Sequence, residues 1–233
     1  MFSLCFLFIR AFVRKKLDSM NSDFFPYNEE IENQLMQLKK LIRLSMNGVV
    51  SESMQSLGYK VNYGVSLPRI KEIAGRFSKN HVLAQRLWSG GSRETMIMAT
   101  LLQPEESFSE KTALEWISQC NNIELIEQCC RNLFVRLSYA NDLAAKMLVQ
   151  EDKYKKTTGY TLYSLLLIQD RADDKELPLF FENVAKDISN ESYMIRSSVV
   201  RFLKQAERKN RELVLDFFSN ISLGEEMARW VHG

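Results

Sequence analysis

The feature that most constrains the fold is an apolar repeat of three or four residues that recurs along the chain from Asn28 onward. Apolar residues at this spacing lie on one face of an α-helix, because one turn takes 3.6 residues. Nine glycines and four prolines in 233 residues provide few of the turns that a β-sheet protein needs. The pattern therefore predicts an all-α chain.

Short polar breaks divide this pattern into successive helices. Two helices are expected between Asn28 and Gly58, and a third ends near Phe77. Beyond it we expect helices at 80–89, 92–102, 109–119, 122–137, 139–150, 152–169, 174–188, 192–206 and 209–220. Helix pairs of roughly 35 to 45 residues with such short links stack into solenoids. We predict a HEAT-like helical repeat solenoid, an α-α superhelix with a concave face; a compact irregular bundle is the alternative.

The beginning of the chain, MFSLCFLFIRAFVRKK, does not fit the helical pattern. Its apolar run is too short to span a bilayer, and its positive residues follow the run, so it is a poor secretory signal. A membrane-surface anchor would explain the segment, but an upstream start codon used in place of Met20 explains it more simply. We expect residues 1–20 to be an N-terminal extension outside the fold, residues 21–233 to form one domain, and no membrane association.

Cysteine and histidine spacing gives no metal site. The four cysteines form no CxxC pair, and the chain has two histidines. The sequence also lacks a Walker loop, a GxSxG elbow and a GxGxxG motif, and SGGS at residues 89–92 reads as a simple turn. We therefore expect no metal, no cofactor, and buried thiols in a reducing, cytoplasmic compartment.

Basic residues are concentrated locally, although the formal net charge is only +2. Six basic and two acidic residues give the segment from Glu191 to Arg211 a net charge of +4. Smaller basic clusters are Lys39, Lys40 and Arg43; Arg69, Lys71, Arg76 and Lys79; and Lys153, Lys155 and Lys156. Such faces fit a nucleic-acid partner, and solvated helix faces are the alternative.

The segment NNIELIEQCCRNLF, residues 121–134, contains a carboxylate in an unusual position. On a helix, Glu127 lies at the edge of an apolar stripe, beside Ile123 and Phe134. One interpretation is a partly desolvated functional carboxylate. The other is a structural ion pair with Arg131, four residues later. Trp88 and Trp116 fall on apolar stripes and are expected in the core.

One long segment resembles the DNA alkylation repair (AlkD-like) family of HEAT-like repeat DNA glycosylases. It covers residues 62–102, NYGVSLPRIKEIAGRFSKNHVLAQRLWSGGSRETMIMATLL. The chain looks like a divergent member of that family. The resemblance continues through ALEWISQCNNIELIEQCCRNLF to VVRFLKQAERKNRELVLDF and covers approximately residues 30–230. It implies a basic cradle for duplex DNA. Active members excise N3- and N7-alkylated purines, with a carboxylate that stabilises the cationic sugar, two tryptophans against the sugar and an arginine near phosphate.

Position by position, the chain departs from the residues that the resemblance implies. The catalytic aspartate of the family falls on Glu127, and the tryptophan four residues earlier falls on Ile123. The arginine falls on Thr157 and the second tryptophan on Arg201. Glutamate is one methylene longer than aspartate, and catalytic geometry is sensitive to shifts of an ångström. By this resemblance the chain keeps one carboxylate, Glu127, and lacks the two tryptophans and the arginine that accompany it in the family.

Three functions follow from these residues. The first is a monomeric protein that binds double-stranded DNA in a basic concave cleft without the standard glycosylase apparatus; the expected contacts are Lys155, Lys156, Thr157, Arg196, Arg201 and Lys204. The second is an active DNA glycosylase of base excision repair, with Glu127 as the catalytic carboxylate and Lys156 or Arg201 on phosphate. The third is a HEAT-type scaffold whose concave face binds a protein partner.

Overall fold

The computed structural model describes residues 28–219, and that part of the chain contains twelve α-helices and no strand. In chain order the helices are α1 Glu29–Leu44, α2 Gly48–Ser56, α3 Leu67–Ala74, α4 His81–Trp88, α5 Arg93–Leu102, α6 Glu110–Gln119, α7 Ile123–Asn132, α8 Ala140–Leu148, α9 Lys153–Ile168, α10 Leu177–Asp187, α11 Tyr193–Lys209 and α12 Arg211–Ser219. The predicted all-α class is confirmed. The extension expected at residues 1–20 lies outside the described residues.

Most of these helices begin at a short polar residue whose side chain accepts a hydrogen bond from a backbone amide two or three positions later. The capping residues are Asn28, Asn47, Asn80, Ser92, Ser109, Asn122 and Asp152. Each bond satisfies an amide in the first turn that has no partner inside its helix. These residues lie in the polar breaks between the apolar segments of the sequence. The breaks therefore mark where successive helices begin.

Several helix ends differ from the sequence-based expectation. The helix expected at 122–137 ends at Asn132, and a 3₁₀ turn, Phe134–Arg136, follows it. The helix expected from 174 begins at Leu177, because Asp173 caps a separate 3₁₀ turn, Asp174–Glu176. Helix α11 continues to Lys209 instead of ending at 206. Apolar periodicity runs across such turns, so it does not mark them.

The helices pack in two layers. Helices α3, α5, α7, α9 and α11 follow one another in contact, and we call them the front layer. The back layer consists of α1, α4, α6, α8 and α10: α1 packs on α4 and α8 on α10, while a tryptophan stack joins α4 to α6 and an ion pair joins α6 to α8. Within residues 28–219 this serial, two-layered packing is the arrangement of a helical solenoid.

Close contact between the layers depends on one glycine. Helix α9 packs against α8, and Gly159 lies at this contact. A Cβ atom at Gly159 would lie 2.7 Å from the backbone nitrogen of Leu148 and 2.8 Å from the carbonyl oxygen of Ala144. Glycine therefore lets the two helices approach to backbone contact.

The back layer contains the predicted aromatic core. Trp88 and Trp116 are 4% and 2% exposed, and their rings stack at a centroid distance of 3.9 Å. The expectation that both are core residues is confirmed.

Cys120, Cys129 and Cys130 are buried free thiols. Among the helices of residues 28–219, none is long and apolar enough to cross a membrane.

Candidate nucleic-acid interface

Glu127 forms an ion pair across the front layer. Its Oε1 atom accepts a hydrogen bond from Nη1 of Arg201 at 2.7 Å, although the two residues are 74 positions apart. Glu127 lies on α7 and Arg201 on α11, and both helices pack against α9, so the pair crosses over α9. The sequence favoured Arg131 as the partner, and this was wrong: spacing along one helix does not account for a cation brought in by another.

The ion pair remains accessible to solvent. The side chains of Arg201 and Glu127 are 40% and 29% exposed. A pair with this exposure is screened by water and salt, so its two members can exchange partners at small cost. Arg201 can therefore reach a competing anion.

Local packing of α7 explains the position of Glu127. Ile126 and Cys130 are completely buried on the apolar stripe, and Asn122 caps the helix. Burial raises the pKa of the Cys130 thiol, and the nearby Cys120 and Glu127 raise it further. Cys130 is therefore an uncharged neighbour of the carboxylate. Gln128 is also buried, and it accepts a hydrogen bond from Asn132 at 3.2 Å.

Helix α11 presents two cations on the side opposite to its buried stripe. Val199 and Phe202 are completely buried, which fixes the rotation of the helix. Arg201 is half-buried and Lys204 is exposed, and residues three apart share one side of a helix. The predicted phosphate contacts Arg201 and Lys204 are thus adjacent on α11, and Arg201 pairs with Glu127 on α7.

A second ion-pair network joins α5 to α7, and no sequence pattern indicated it. Nε and Nη2 of Arg93 donate to the two carboxylate oxygens of Glu124 at 2.7 and 2.5 Å, and its Nη1 donates to Oε1 of Glu94 at 3.2 Å. Burial raises the pKa of Tyr59, and the negative charge of Glu124 adds to the effect. Planar two-point pairing of this kind is typical of arginine with carboxylate, and it ties α5 to α7.

Lys156 has an internal partner. Its Nζ is 3.0 Å from Oδ1 of Asp187, whose other oxygen accepts a hydrogen bond from the Tyr160 hydroxyl at 2.9 Å. Lys156 is 7% exposed and Asp187 2%. Burial, followed by the Asp187 charge, raises the pKa of Tyr160 well above its usual range. In this arrangement Lys156 joins α9 to α10 and does not present its charge at the surface.

Thr157, on the family's arginine position, is also internal. It is 0% exposed, and its Oγ1 has no hydrogen-bond partner among residues 28–219. Gly159 faces α8 in the back layer, so Thr157, two residues or about 200° away, faces the front. There α7 and α11 pack against α9. A hydroxyl in this position is not available to a phosphate.

The remaining predicted contacts have different surroundings. Lys155 is half-buried in the first turn of α9, where its backbone amide donates to Asp152. Arg196 donates from Nη1 to the carbonyl oxygens of Asn190 and Glu191, at 2.6 and 2.9 Å. It therefore braces the loop before α11. Of the predicted set, the structure brings together Glu127, Arg201 and Lys204.

The described residues contain no group of three histidine, cysteine, aspartate or glutamate side chains arranged to hold a metal ion. The chemistry available at the front layer is that of an accessible guanidinium paired with a carboxylate, with a lysine beside it. These groups bind anions by charge and by directed hydrogen bonds.

Comparison with known proteins gives first the class and then the family. The fold is similar to a solved structure from "a new family of proteins related to the HEAT-like repeat DNA glycosylases with affinity for branched DNA structures", with a TM-score of 0.71, 19% identity, and coverage of 84% of this chain and 83% of that chain. This confirms the predicted HEAT-like solenoid. The family model for "DNA alkylation repair enzyme" matches residues 38–232, so the chain belongs to the DNA alkylation repair family. No curated protein sequence matches significantly.

Proposed function

We propose that this protein binds DNA along its front layer, with Arg201 and Lys204 on phosphates, and that Glu127 does not serve as a carboxylate of base excision. The observation that carries the proposal is the 2.7 Å bond between Arg201 and Glu127. The cation that neutralises the carboxylate is also the group best placed to contact a DNA strand.

The residues around Glu127 argue against excision chemistry. A carboxylate that stabilises a cationic sugar must direct its charge toward that sugar in the transition state. In the free protein that charge is directed at Arg201, which occupies the position where, by resemblance, the family has a tryptophan. Ile123 stands at the other tryptophan position. The result is a charged, hydrogen-bonding surface in place of an aromatic one.

Phosphate recognition is what this surface offers. Arginine forms planar two-point bonds with phosphate, while lysine contributes a point charge, and neither reads base sequence in this way. The similar protein of known structure has affinity for branched DNA. We therefore propose DNA shape, duplex or branched, as the property recognised, within a domain that spans residues 21–233 and acts as a cytoplasmic monomer.

The test is a fluorescence-anisotropy titration of the full chain with a labelled duplex and a four-way junction, over a range of salt concentrations. Arg201→Ala and Lys204→Ala are each expected to weaken binding and to reduce the magnitude of the log–log salt slope by about 0.9, the value for one lost phosphate contact on duplex DNA. The control is Lys146→Ala, an exposed back-layer lysine that pairs with Glu110.

Equal losses in the control and in Arg201→Ala would contradict a front-layer interface. If the unmodified protein binds neither DNA at low salt, the DNA proposal fails, and a protein-binding scaffold takes its place.

A further inference from the structure

Two features that are distant in the sequence meet in one small pocket, where α1 of the back layer lies beside the start of α5 in the front layer. The basic cluster of α1 provides Lys39 and Arg43, and the SGGS turn before α5 provides Gly90 and Ser92. Ile42, Tyr63 and Thr95 complete the lining of a pocket of about 150 Å³. This size suits a small group such as a phosphate.

The lining is chemically one-sided. It contains two cations, three hydroxyl-bearing side chains and no carboxylate. Lys39 and Arg43 are exposed and lie one helical turn apart, so both charges face the same opening. The hydroxyl oxygens of Ser92 and Thr95 are 2.9 Å apart, and the Thr95 hydroxyl also donates to the Ser92 carbonyl oxygen at 3.1 Å, so both hydroxyls are bonded within the turn. Such a lining favours an anion with several acceptor oxygens.

Backbone contacts give the pocket a fixed shape. A Cβ atom at Gly90 would lie 3.2 Å from the Thr95 hydroxyl and 3.0 Å from the carbonyl oxygen of Leu87, so only glycine leaves this wall without a displacement. On the opposite wall, the Tyr63 carbonyl oxygen accepts a hydrogen bond from the backbone amide of Asn47 at 3.0 Å. A binding site held by the backbone loses little entropy when it binds its ligand.

Hydrogen bonds link the pocket to the candidate interface. The backbone amide of Tyr63 donates to Oε2 of Glu94 at 3.0 Å, and Arg93, the next residue back, pairs with Glu124 on α7. Glu127 follows on that helix. These contacts therefore connect the pocket to α7, whose Glu127 pairs with Arg201.

We infer that the pocket formed by Lys39, Arg43, Tyr63, Ser92 and Thr95 binds a phosphate group, and that in the complex this is a backbone phosphate of the bound DNA. The second part rests on the proposed function, while the first part is independent of it. A free phosphate ion has the same chemistry, and the experiment separates the two sources.

The experiment compares Arg43→Gln with Lys40→Gln in the full chain. Lys40 is an exposed cation on the same helix that lines the neighbouring groove but not this pocket, so it is a matched control for charge. In the first arm, inorganic phosphate is titrated while the amide resonances of Gly90 and Ser92 are followed by NMR. In the second arm, duplex binding is measured against salt concentration. Circular dichroism establishes that both variants are folded.

In the first arm we expect phosphate to shift both resonances in the unmodified protein and in Lys40→Gln, but not in Arg43→Gln. In the second arm Arg43→Gln should reduce the salt slope by about 0.9, and Lys40→Gln should leave it within error of the unmodified protein.

No resonance shift together with equal slopes in the two variants would overturn the inference. A resonance shift with equal slopes would overturn the DNA assignment and identify the ligand as free phosphate. If the unmodified protein binds no duplex, the proposed function fails, while the resonance shift alone still supports a phosphate pocket.

Discussion

Replacing Glu127 by glutamine should strengthen DNA binding, because it releases Arg201. In the free protein Arg201 donates to Glu127 at 2.7 Å, and it must exchange this partner for a phosphate when DNA binds. The carboxylate therefore competes with the DNA for the same guanidinium. Glutamine has the same shape but no charge, so the competition is lost while the packing of α7 is kept.

The magnitude follows from the exposure of the pair. With side chains 40% and 29% exposed, the pair belongs with solvent-screened ion pairs, which contribute ~0.2–1 kcal/mol. Removing that cost should lower the dissociation constant by a factor of roughly 1.4 to 5. Electrostatic screening also makes the effect smaller as salt increases.

A double-mutant cycle isolates this competition from the general effect of removing a negative charge. Dissociation constants are measured by anisotropy for the unmodified protein, Glu127→Gln, Arg201→Ala and the double variant. The gain from Glu127→Gln should disappear in the Arg201→Ala background. Glu110→Gln, which breaks the exposed back-layer pair with Lys146, should change DNA binding little in either background. An equal gain from Glu127→Gln in both backgrounds would refute the reasoning.

Two further predictions concern the interior. Lys156→Met leaves the buried Asp187 carboxylate without its cation and should lower the free energy of unfolding, measured by urea denaturation, by about 3–5 kcal/mol. The control Lys146→Met removes one member of an exposed pair and should lower it by less than ~1 kcal/mol. Similar losses in the two variants would contradict the internal role of Lys156. Because burial raises the pKa of Cys129 and Cys130, both thiols should resist iodoacetamide at pH 8 in the folded protein and react after unfolding, as read by peptide mass spectrometry; labelling of the folded protein would contradict their burial.

Sequence reasoning predicted the helical class and helix order because both depend on local physics. Asn122 and Asp152 mark helix starts by their capping chemistry, and the apolar spacing between them marks the buried faces. It missed the break at Leu133, whose backbone leaves the helical region at φ −133° and ψ −62° while the apolar spacing continues. An apolar stripe in the sequence shows which residues are buried. It does not reveal a turn that leaves the same residues buried.

The site was less predictable because its partners come from separate helices. Glu127 was identified as an edge carboxylate, but its pairing with Arg201 depends on α7 and α11 packing on the same helix. Lys156 appeared in a basic run, and only the position of Asp187 on α10 makes it internal. The pocket that joins Arg43 to the SGGS turn depends equally on tertiary packing. Charge along a sequence therefore did not distinguish a surface cation from a structural one.

Whether the bound protein excises a base is measured by base release from an alkylated duplex. The unmodified protein is incubated in excess with a duplex that contains a single N7-methylguanine, and free base is measured under salt conditions where binding is saturated. DNA binding without excision predicts a bound duplex and no release above the rate of spontaneous depurination. Release by the unmodified protein that is lost in Glu127→Gln would contradict it and establish Glu127 as a catalytic carboxylate.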